Sequence, residues 1–532
     1  MPASLRTGRG RLAIGLFAVL AASLATACST SSKPTLTHAQ SATTTNPTAT
    51  PPSGSWPYPN ADLANTRQAP GSVISSGNVS QLQRAWTFRI ASKPDGGVGT
   101  LAMSPVVVNG VVYIQDMQAN VYALDLASGK LRWEYQVNTQ ELGGPGPDGV
   151  AVADGRVYGD TPHTAFALSA ATGKPVWVDR SLLNKGQGAF SIQPQAVAGR
   201  VYLASSLANG PGGGILLALD AATGRVVWRF NTMVGSDAAV RADQAGSGGA
   251  WETPLVGTDG SVTFGIGNPY ESAATAIAHP ERLLYSDSAV NLDAATGALR
   301  WYYQAVPNDF QDHDLQTSPI ETNISGTSVL IDAGKMGYVY AINAQTGALI
   351  WKTPVGKHNG HDNDPVLALE HKLHLNVPFT IEPGELGGIL SNPAVASDTV
   401  YVSTVDEPIV YSKLTDILGS GIVHPPTGDF EALNLATGKV EWDTKLSQMA
   451  LGAATVSNDL VFTTLYGGEL IAMNRMTGAI VYRHQLPTST NAPLVVAGNT
   501  VIVSAGGPLT GPPLTGQPGG SGKPQVIAYT VR

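Results

Sequence analysis

The stretch that decides the fold is "AVNLDAATGALRW", residues 289–301. It reads as an alternating strand, a turn, and a second strand that ends on an aromatic residue. Related stretches are "VYALDLASGKLRW" (121–133), "AFALSAATGKPVW" (165–177), "LLALDAATGRVVW" (216–228), "VYAINAQTGALIW" (339–351), "FEALNLATGKVEW" (430–442) and "LIAMNRMTGAIVY" (470–482), which makes seven copies. Their turn glycines, 129, 173, 224, 297, 347, 438 and 478, are spaced by 44, 51, 73, 50, 91 and 40 residues. Periods near this length mean one small structural unit per repeat. The Asp or Asn at the turn supplies a side-chain cap and the Gly a positive φ. The aromatic after the turn is expected to pack on a neighbouring unit.

Upstream of the first copy, "PVVV" and "VVYIQD" flank Asn109-Gly110, a hairpin signal. Each unit therefore reads as four antiparallel strands, and such units around an axis form a β-propeller. Period-two runs cut by Gly every few residues exclude a helical solenoid. The ends supply an eighth unit. "QVIAYTV" (525–531) matches the strand before the turn, and "LQRAWTF" (82–88) matches the strand after it. Pairing these two would leave no edge unpaired. The expected fold is all-β: an eight-bladed propeller of four-stranded antiparallel blades, closed by its N- and C-terminal strands.

The 532-residue chain is 43% hydrophobic and 13% charged, with 60 Gly, which suits a turn-rich β protein. Its net charge of −8 argues against a nucleic-acid partner. Arg6, Arg9 and Arg11 precede the apolar "LAIGLFAVLAASLATA" and then Cys28, the single cysteine. Residues 1–27 read as an export signal. Small residues before Cys28 resemble a bacterial lipobox, which makes Cys28 a lipidation site. Residues 28–54, rich in Ser, Thr and Pro, cannot bury enough surface to fold and read as a tether. Residues 55–532 form the folded body. The expected location is the outer face of the cell membrane, held by lipid.

Nine Trp are present, and Trp251 has no place in the repeat. It falls in "GGAWETPLVGTDGSVTFGIGNPY" (248–270), inside one of the two long repeats, where extra residues form loops. Loops on a rigid scaffold concentrate function, although a Trp there also serves to plug a loop over the core.

"SWPYPNADLANTRQAP", "GAWETP…GIGNP", "WYYQAVPNDFQDHD" and "AGKMGYVYAINAQTGALIW" resemble the alcohol dehydrogenases that use pyrroloquinoline quinone (PQQ), over roughly residues 55–532. The resemblance implies an axial PQQ with Trp251 as its floor and Ser191 as a hydroxyl contact. It implies a calcium or lanthanide ion held by Asn268, Asp312 and Asp314, with Asp312 the base that takes the alcohol proton. Lys335 would hydrogen-bond the quinone oxygen. Three departures stand against it. Asn209 occupies the place of a metal-ligating Glu. Asp148 occupies the place of an Arg that pairs with a PQQ carboxylate, where like charges repel. The adjacent-cysteine disulfide is absent. With no C-x-x-C-H site, haem is not expected, and electrons would pass to an external acceptor. "GKHNGHDND" (356–364), with His358, His361, Asp362 and Asp364, and His371 and His374 beyond, reads as a polar loop rather than a metal site.

Two functions follow. One is an exported quinoprotein dehydrogenase acting on a small alcohol. The other is a non-catalytic propeller scaffold that binds a protein or another cell-envelope partner.

Overall fold

The structure is a computed structural model that describes residues 51, 53–92, 99–141, 148–208, 212–233, 248–507 and 520–531. Among these, the sequence repeat becomes eight sheets built on the same four-strand antiparallel meander. In sheet 1 the strands are Val106–Val108, Val111–Gln115, Val121–Asp125 and Leu131–Tyr135. Sheets 2 to 7 span residues 151–179, 195–231, 255–304, 320–354, 394–446 and 455–485. Sheet 8 joins residues 495–530 to Gln83–Arg89, which pairs antiparallel with Gln525–Thr530 as the end sequences suggested. Every sheet is open-ended; none closes on itself. The long repeats carry the insertions: helices α1 (Ala273–Ala278) and α2 (Asp364–Leu369), and a small sheet of Phe379–Ile381, Ile409–Tyr411 and Gly421–Ile422.

Burial follows position in the meander. In sheet 1 the second strand is wholly buried, while the fourth, Leu131–Tyr135, faces solvent along much of its length. The second strand of sheet 1 accordingly reads VVYIQ, rich in β-branched residues, and the fourth reads LRWEY, with charge mixed in. Asn109 and Gly110, at φ 50° and 73°, make the expected two-residue hairpin.

Each fourth strand carries a bulge just before its aromatic. Trp133 faces Ala123 and Leu131 faces Leu124, so Arg132 is the extra residue. The bulge recurs in every sheet, and the Trp reaches out of its own sheet. Trp133 Nε1 donates to Ala170 O at 2.9 Å, Trp228 to Ala294 O at 3.0 Å and Trp442 to Arg475 O at 3.0 Å, each on the turn of the following sheet. Trp86, in sheet 8, donates to Leu126 O of sheet 1 at 2.8 Å. The turn glycine is the seat for the ring. A Cβ on Gly297 would lie 2.7 Å from Trp228 Cδ2, so that position needs both the positive φ and the missing side chain. Between sheets 7 and 8, where Tyr482 replaces Trp, His484 Nε2 meets the Tyr529 hydroxyl at 3.1 Å.

Residues 55–73 run across the inner strands. Trp56 bridges to Val107, Glu321 N donates to Ala64 O, Val395 N to Thr66 O, Ala69 N to Val456 O and Val73 N to Gly498 O. Arg67 is fully buried there. It donates to Ala454 O, Asn60 Oδ1, Ser104 Oγ, Thr455 Oγ1 and Leu494 O at 2.7–3.2 Å, so its charge is spread over several sheets and the crossing segment. Burial lowers its guanidinium to about 9. The nearby half-buried Glu252 accepts from Asn392 Nδ2 at 2.9 Å, and loss of solvent around it holds its carboxyl up at about 7.

Candidate functional site

The site is assembled at one end of sheets 4 and 5. Trp251 leads into the first strand of sheet 4 (Leu255–Val256), and Gly267 and Asn268 follow its second strand (Ser261–Gly265). Asp312 and Asp314 lie in the connection to sheet 5, and Lys335 follows its second strand (Thr327–Ala333). Backbone hydrogen bonds hold these segments together. Gly267 N donates to Gly249 O at 2.7 Å, Gly248 N to Asn268 O at 3.0 Å and Lys335 N to Asp314 O at 3.0 Å. The approach at Gly334 is so close that a Cβ there would fall 2.0 Å from Asp314 O.

The side chains converge. Asn268 Nδ2 donates to Asp312 Oδ1 at 2.6 Å, and Asn268 N donates to Asp314 Oδ1 at 2.7 Å. Lys335 Nζ lies 2.7 Å from Asp312 Oδ2 and 2.5 Å from Asp314 Oδ2. Trp251 borders the same group: a Cβ on Gly267 would meet Asp314 Oδ1 at 2.5 Å and Trp251 Cη2 at 2.8 Å. Ser191 is buried just beyond Ala189, whose strand partner is Ser206. Ser206 Cα lies where a Cβ on Gly249 would contact both it and the Trp251 ring. Asp312 sits at φ 60°, a left-handed conformation costing on the order of 1–3 kcal/mol in a non-glycine residue.

The electrostatics are lopsided. Two buried carboxylates share one ammonium. Burial pushes the Asp312 carboxyl well above its usual range, with Lys335 the largest opposing influence. The two carboxylates in turn hold the Lys335 ammonium well above its usual value against the effect of burial. Asp287 is driven well up by burial and by Asp309, Asp314 and Asp312. Asn268 Oδ1 is buried and accepts no hydrogen bond. A site with surplus negative charge and an orphan carbonyl oxygen fits a hard cation.

The placements qualify several sequence expectations. Lys335 bridges the two carboxylates rather than reaching a free position as a lone donor. Asn209 and Cys28 lie outside the described residues. The loop at 356–364 forms two local pairs, His358 Nδ1 with Asp362 Oδ1 at 2.5 Å and His361 Nδ1 with Asp364 Oδ2 at 2.6 Å, and His371 and His374 are exposed. Asp309 caps its own turn, accepting from Gln311 N and His313 N at 2.9 Å each. Sequence reasoning missed Tyr270, Glu385 and Tyr411. Burial raises the Tyr270 phenol, with Asp312 and Asp314 adding to it. Burial raises Glu385 too, while a backbone hydrogen bond from Gly419 and the charge of Lys335 pull it down. Burial raises the Tyr411 phenol, with Glu385 and Asp312 the next largest influences. Tyr270 adjoins the "GIGNP" motif and was within reach; the others come from the long insertion, which has no repeat to place it.

Residues 56–358 match the family described as glucose/ethanol/alcohol dehydrogenase, beta-propeller domain, and residues 426–519 match that described as outer membrane protein assembly factor BamB. Quinohemoprotein alcohol dehydrogenase ADH-IIG of Pseudomonas putida is 31% identical over 331 residues, 56% of this chain but only 45% of that protein. The quinohemoprotein alcohol dehydrogenase of Comamonas testosteroni is 26% identical over 512 residues, 84% of this chain and 71% of that protein. The crystal structure of the latter superposes with a TM-score of 0.74 at 21% identity, covering 90% of this chain and 80% of that one. A europium-containing methanol dehydrogenase gives 0.73 at 20%, covering 90% and 98%. These last two likenesses speak for the fold alone. The relatives also correct one expectation. Haem was set aside for want of a C-x-x-C-H site, yet both sequence relatives are quinohemoproteins by name, and the exclusion of haem does not stand.

Proposed function

The chain belongs to the glucose/ethanol/alcohol dehydrogenase beta-propeller family, and on that premise we propose that it is a quinoprotein dehydrogenase that oxidises a small alcohol with PQQ and a calcium or lanthanide ion. The eight sheets are read as eight blades in a ring, with the first strand latched into the last blade. The observation that carries the reading is the junction of Asn268, Asp312, Asp314 and Lys335 against the half-buried Trp251 ring. Asn268 Oδ1, Asp312 and Asp314 would hold the cation, and Trp251 would support the flat cofactor through stacking area that costs little conformational freedom. Bound PQQ with its cation supplies the acceptor for the hydrogen that leaves the alcohol carbon with its electron pair.

The chain's own residues do the rest. Asp312 receives the hydroxyl proton on its carboxylate; burial makes that carboxylate basic, and the Lys335 ammonium beside it works against that rise. Asn268 Nδ2, bonded to Oδ1, fixes the plane of the group. Before the proton arrives, the Lys335 ammonium offsets the charge of the Asp312 and Asp314 carboxylates. Export by residues 1–27 and lipid attachment at Cys28 belong to the same reading, with the body tethered outside the cell membrane and electrons passing to an acceptor there.

The scaffold alternative draws on Asp148, a buried acid where a cation would be wanted, and on the match of residues 426–519 to an assembly factor. The test adds PQQ with calcium or a lanthanide to purified protein. Quinone absorbance change, a raised melting temperature and alcohol-dependent dye reduction are expected, with Asp312→Asn losing the third and weakening the first two, because it removes a charged cation ligand as well as the base. No absorbance change and no rise in melting temperature would favour the scaffold.

A further inference from the structure

The "GKHNGHDND" loop takes no part in the junction of Asn268, Asp312, Asp314 and Lys335, yet it reaches the turn that carries Lys335. That turn, residues 334–337, joins the strands Thr327–Ala333 and Tyr338–Asn343 of sheet 5. Gly337 N closes it by donating to Gly334 O at 3.0 Å. On one side the turn leans on the Asp314 segment, where Lys335 N donates to Asp314 O. On the other it meets the connection from sheet 5 to sheet 6, residues 355–393. Ile389 N donates to Gly334 O at 3.0 Å and Val355 N to Gly337 O at 2.8 Å. Gly388 is buried at φ 66°, and a Cβ on it would lie 2.1 Å from Lys335 O and 2.6 Å from Lys335 C. Gly388 is itself pinned from behind: its N donates to Val405 O at 2.9 Å, and its O accepts from Val405 N at 2.8 Å. His358 holds the far end of the turn. Its Nε2 lies 3.2 Å from Gly337 O and 3.1 Å from Val355 O, and its Nδ1 lies 2.5 Å from Asp362 Oδ1. Both ring nitrogens face acceptors only, so both carry hydrogen and the ring is an imidazolium. Burial works to lower the imidazole, but Asp362 and the two carbonyls outweigh it and hold the group above its usual value.

Lys335 Nζ serves two carboxylates at 2.7 and 2.5 Å. A lysine stem is flexible, so its ammonium is placed sharply only where the backbone beneath it is fixed and the walls around it are closed. We propose that His358 and Gly388 are positioning residues for Lys335. His358 ties down the Gly337 end of the turn with a charged hydrogen bond. Gly388 is a wall against the Lys335 peptide, with no room there for a side chain. Neither residue touches the reacting atoms. Gly388→Ala has to displace the Lys335 peptide by about 1 Å, and a misplacement of that size costs on the order of 100-fold in rate where the group serves catalysis. The coupling of both residues to Lys335 is a property of the fold. Its consequence for turnover rests on the dehydrogenase reading.

The experiment uses the full chain and has two arms. The first needs no cofactor: melting temperatures in chelator at pH 7.5 for a double-mutant cycle of Lys335→Met with His358→Leu, and for a second cycle with Gly388→Ala. Lys335→Met is expected to cost about 3–5 °C in the wild-type background and about half of that or less in either variant, where the pair it removes is already loosened. His358→Gln keeps an N–H donor where Nε2 stands and should bring back most of the full loss. If Gly388→Ala fails to fold by circular dichroism, the His358 cycle decides alone. The second arm follows alcohol-dependent dye reduction with PQQ and calcium saturating. His358→Leu and Gly388→Ala should lower kcat by about 10- to 100-fold with KM little changed, and His358→Gln should recover most of it. If the dehydrogenase reading fails, no protein reduces dye, wild type included, and the coupling in the first arm remains. Equal losses from Lys335→Met in all backgrounds, to within about 0.5 °C, would overturn the positioning role, since a merely structural role is additive. So would a kcat in both variants equal to that of an active wild type.

Discussion

Replacing Lys335 by Met keeps the length of the side chain and removes its charge. In the structure Nζ lies 2.7 Å from Asp312 Oδ2 and 2.5 Å from Asp314 Oδ2, and all three side chains are at most 9% exposed. Removing one partner of a buried pair costs about 3–5 kcal/mol, because the charge left behind is unpaired. Here two carboxylates are left facing each other. A folded body of roughly 480 residues, at about 2.1 cal/mol/K of unfolding entropy per residue, has a slope near 1 kcal/mol per degree. The variant should therefore melt about 3–5 °C lower by calorimetry in chelator at pH 7.5. Asp314→Asn in the same background should recover part of the loss, since it removes the like-charge neighbour. The gap should also narrow as pH falls and the Asp312 carboxyl takes up a proton, because the wild-type Lys335–Asp312 pair is then lost as well. A melting temperature within about 1 °C of wild type at pH 7.5, or a deficit that stays constant into acid, would refute the account of Lys335 as the counter-charge to both acids.

Other measurements reach the remaining elements. Trp251→Ala should weaken PQQ binding, followed by equilibrium dialysis in the presence of calcium, by roughly tenfold, while the half-buried position keeps the melting temperature within about 2 °C. Gly297→Ala should lower stability in urea by about 2–4 kcal/mol, because its Cβ would fall 2.7 Å from Trp228 Cδ2 at φ 72°; Gly110→Ala, at φ 73° with open space, should cost only about 1 kcal/mol. Glu252 is held up at about 7 in the folded protein against 4.5 ordinarily. Its folded-state value is raised, so its contribution is full below about pH 4.5 and is lost as pH rises through about 7. Glu252→Gln should therefore gain on wild type by about 3 kcal/mol between pH 4.5 and 8, read from urea midpoints.

The repeat made most of the fold legible. Seven copies, four of their six spacings between 40 and 51 residues, with Asn109-Gly110 as a hairpin mark, led to four-strand units, and the two chain ends were matched to each other by the same pattern. The bulge before each Trp was not legible, because a one-residue shift leaves no trace in an alternating run. The turn glycine was read for its φ; that it also seats the preceding sheet's indole needs the spatial neighbour. At the site, Trp251 stood out by lacking a repeat role, and Asn268, Asp312, Asp314 and Lys335 came from the family resemblance. What the sequence could not convey was charge balance: Lys335 lies far along the chain from the two acids it joins. Arg67 and Glu252 are single polar residues with no period of their own. Their significance comes from lost solvent and from partners drawn from distant segments, which are properties of the folded state.

The indole handed from seven of the eight sheets to the turn of the next puts the covalent repeat out of phase with the mechanical one. A sheet cut from the chain at its own boundaries would carry away a loose ring at one side and an empty seat at the other. Duplicating or losing a whole repeat, by contrast, moves one ring and one seat together, so the seams match again whatever the number of repeats. The long insertions between Gly224 and Gly297 and between Gly347 and Gly438 lengthen the chain without touching either half of a seam. A molecule fastened in this way can grow loops for chemistry while the fastening stays unaware of them.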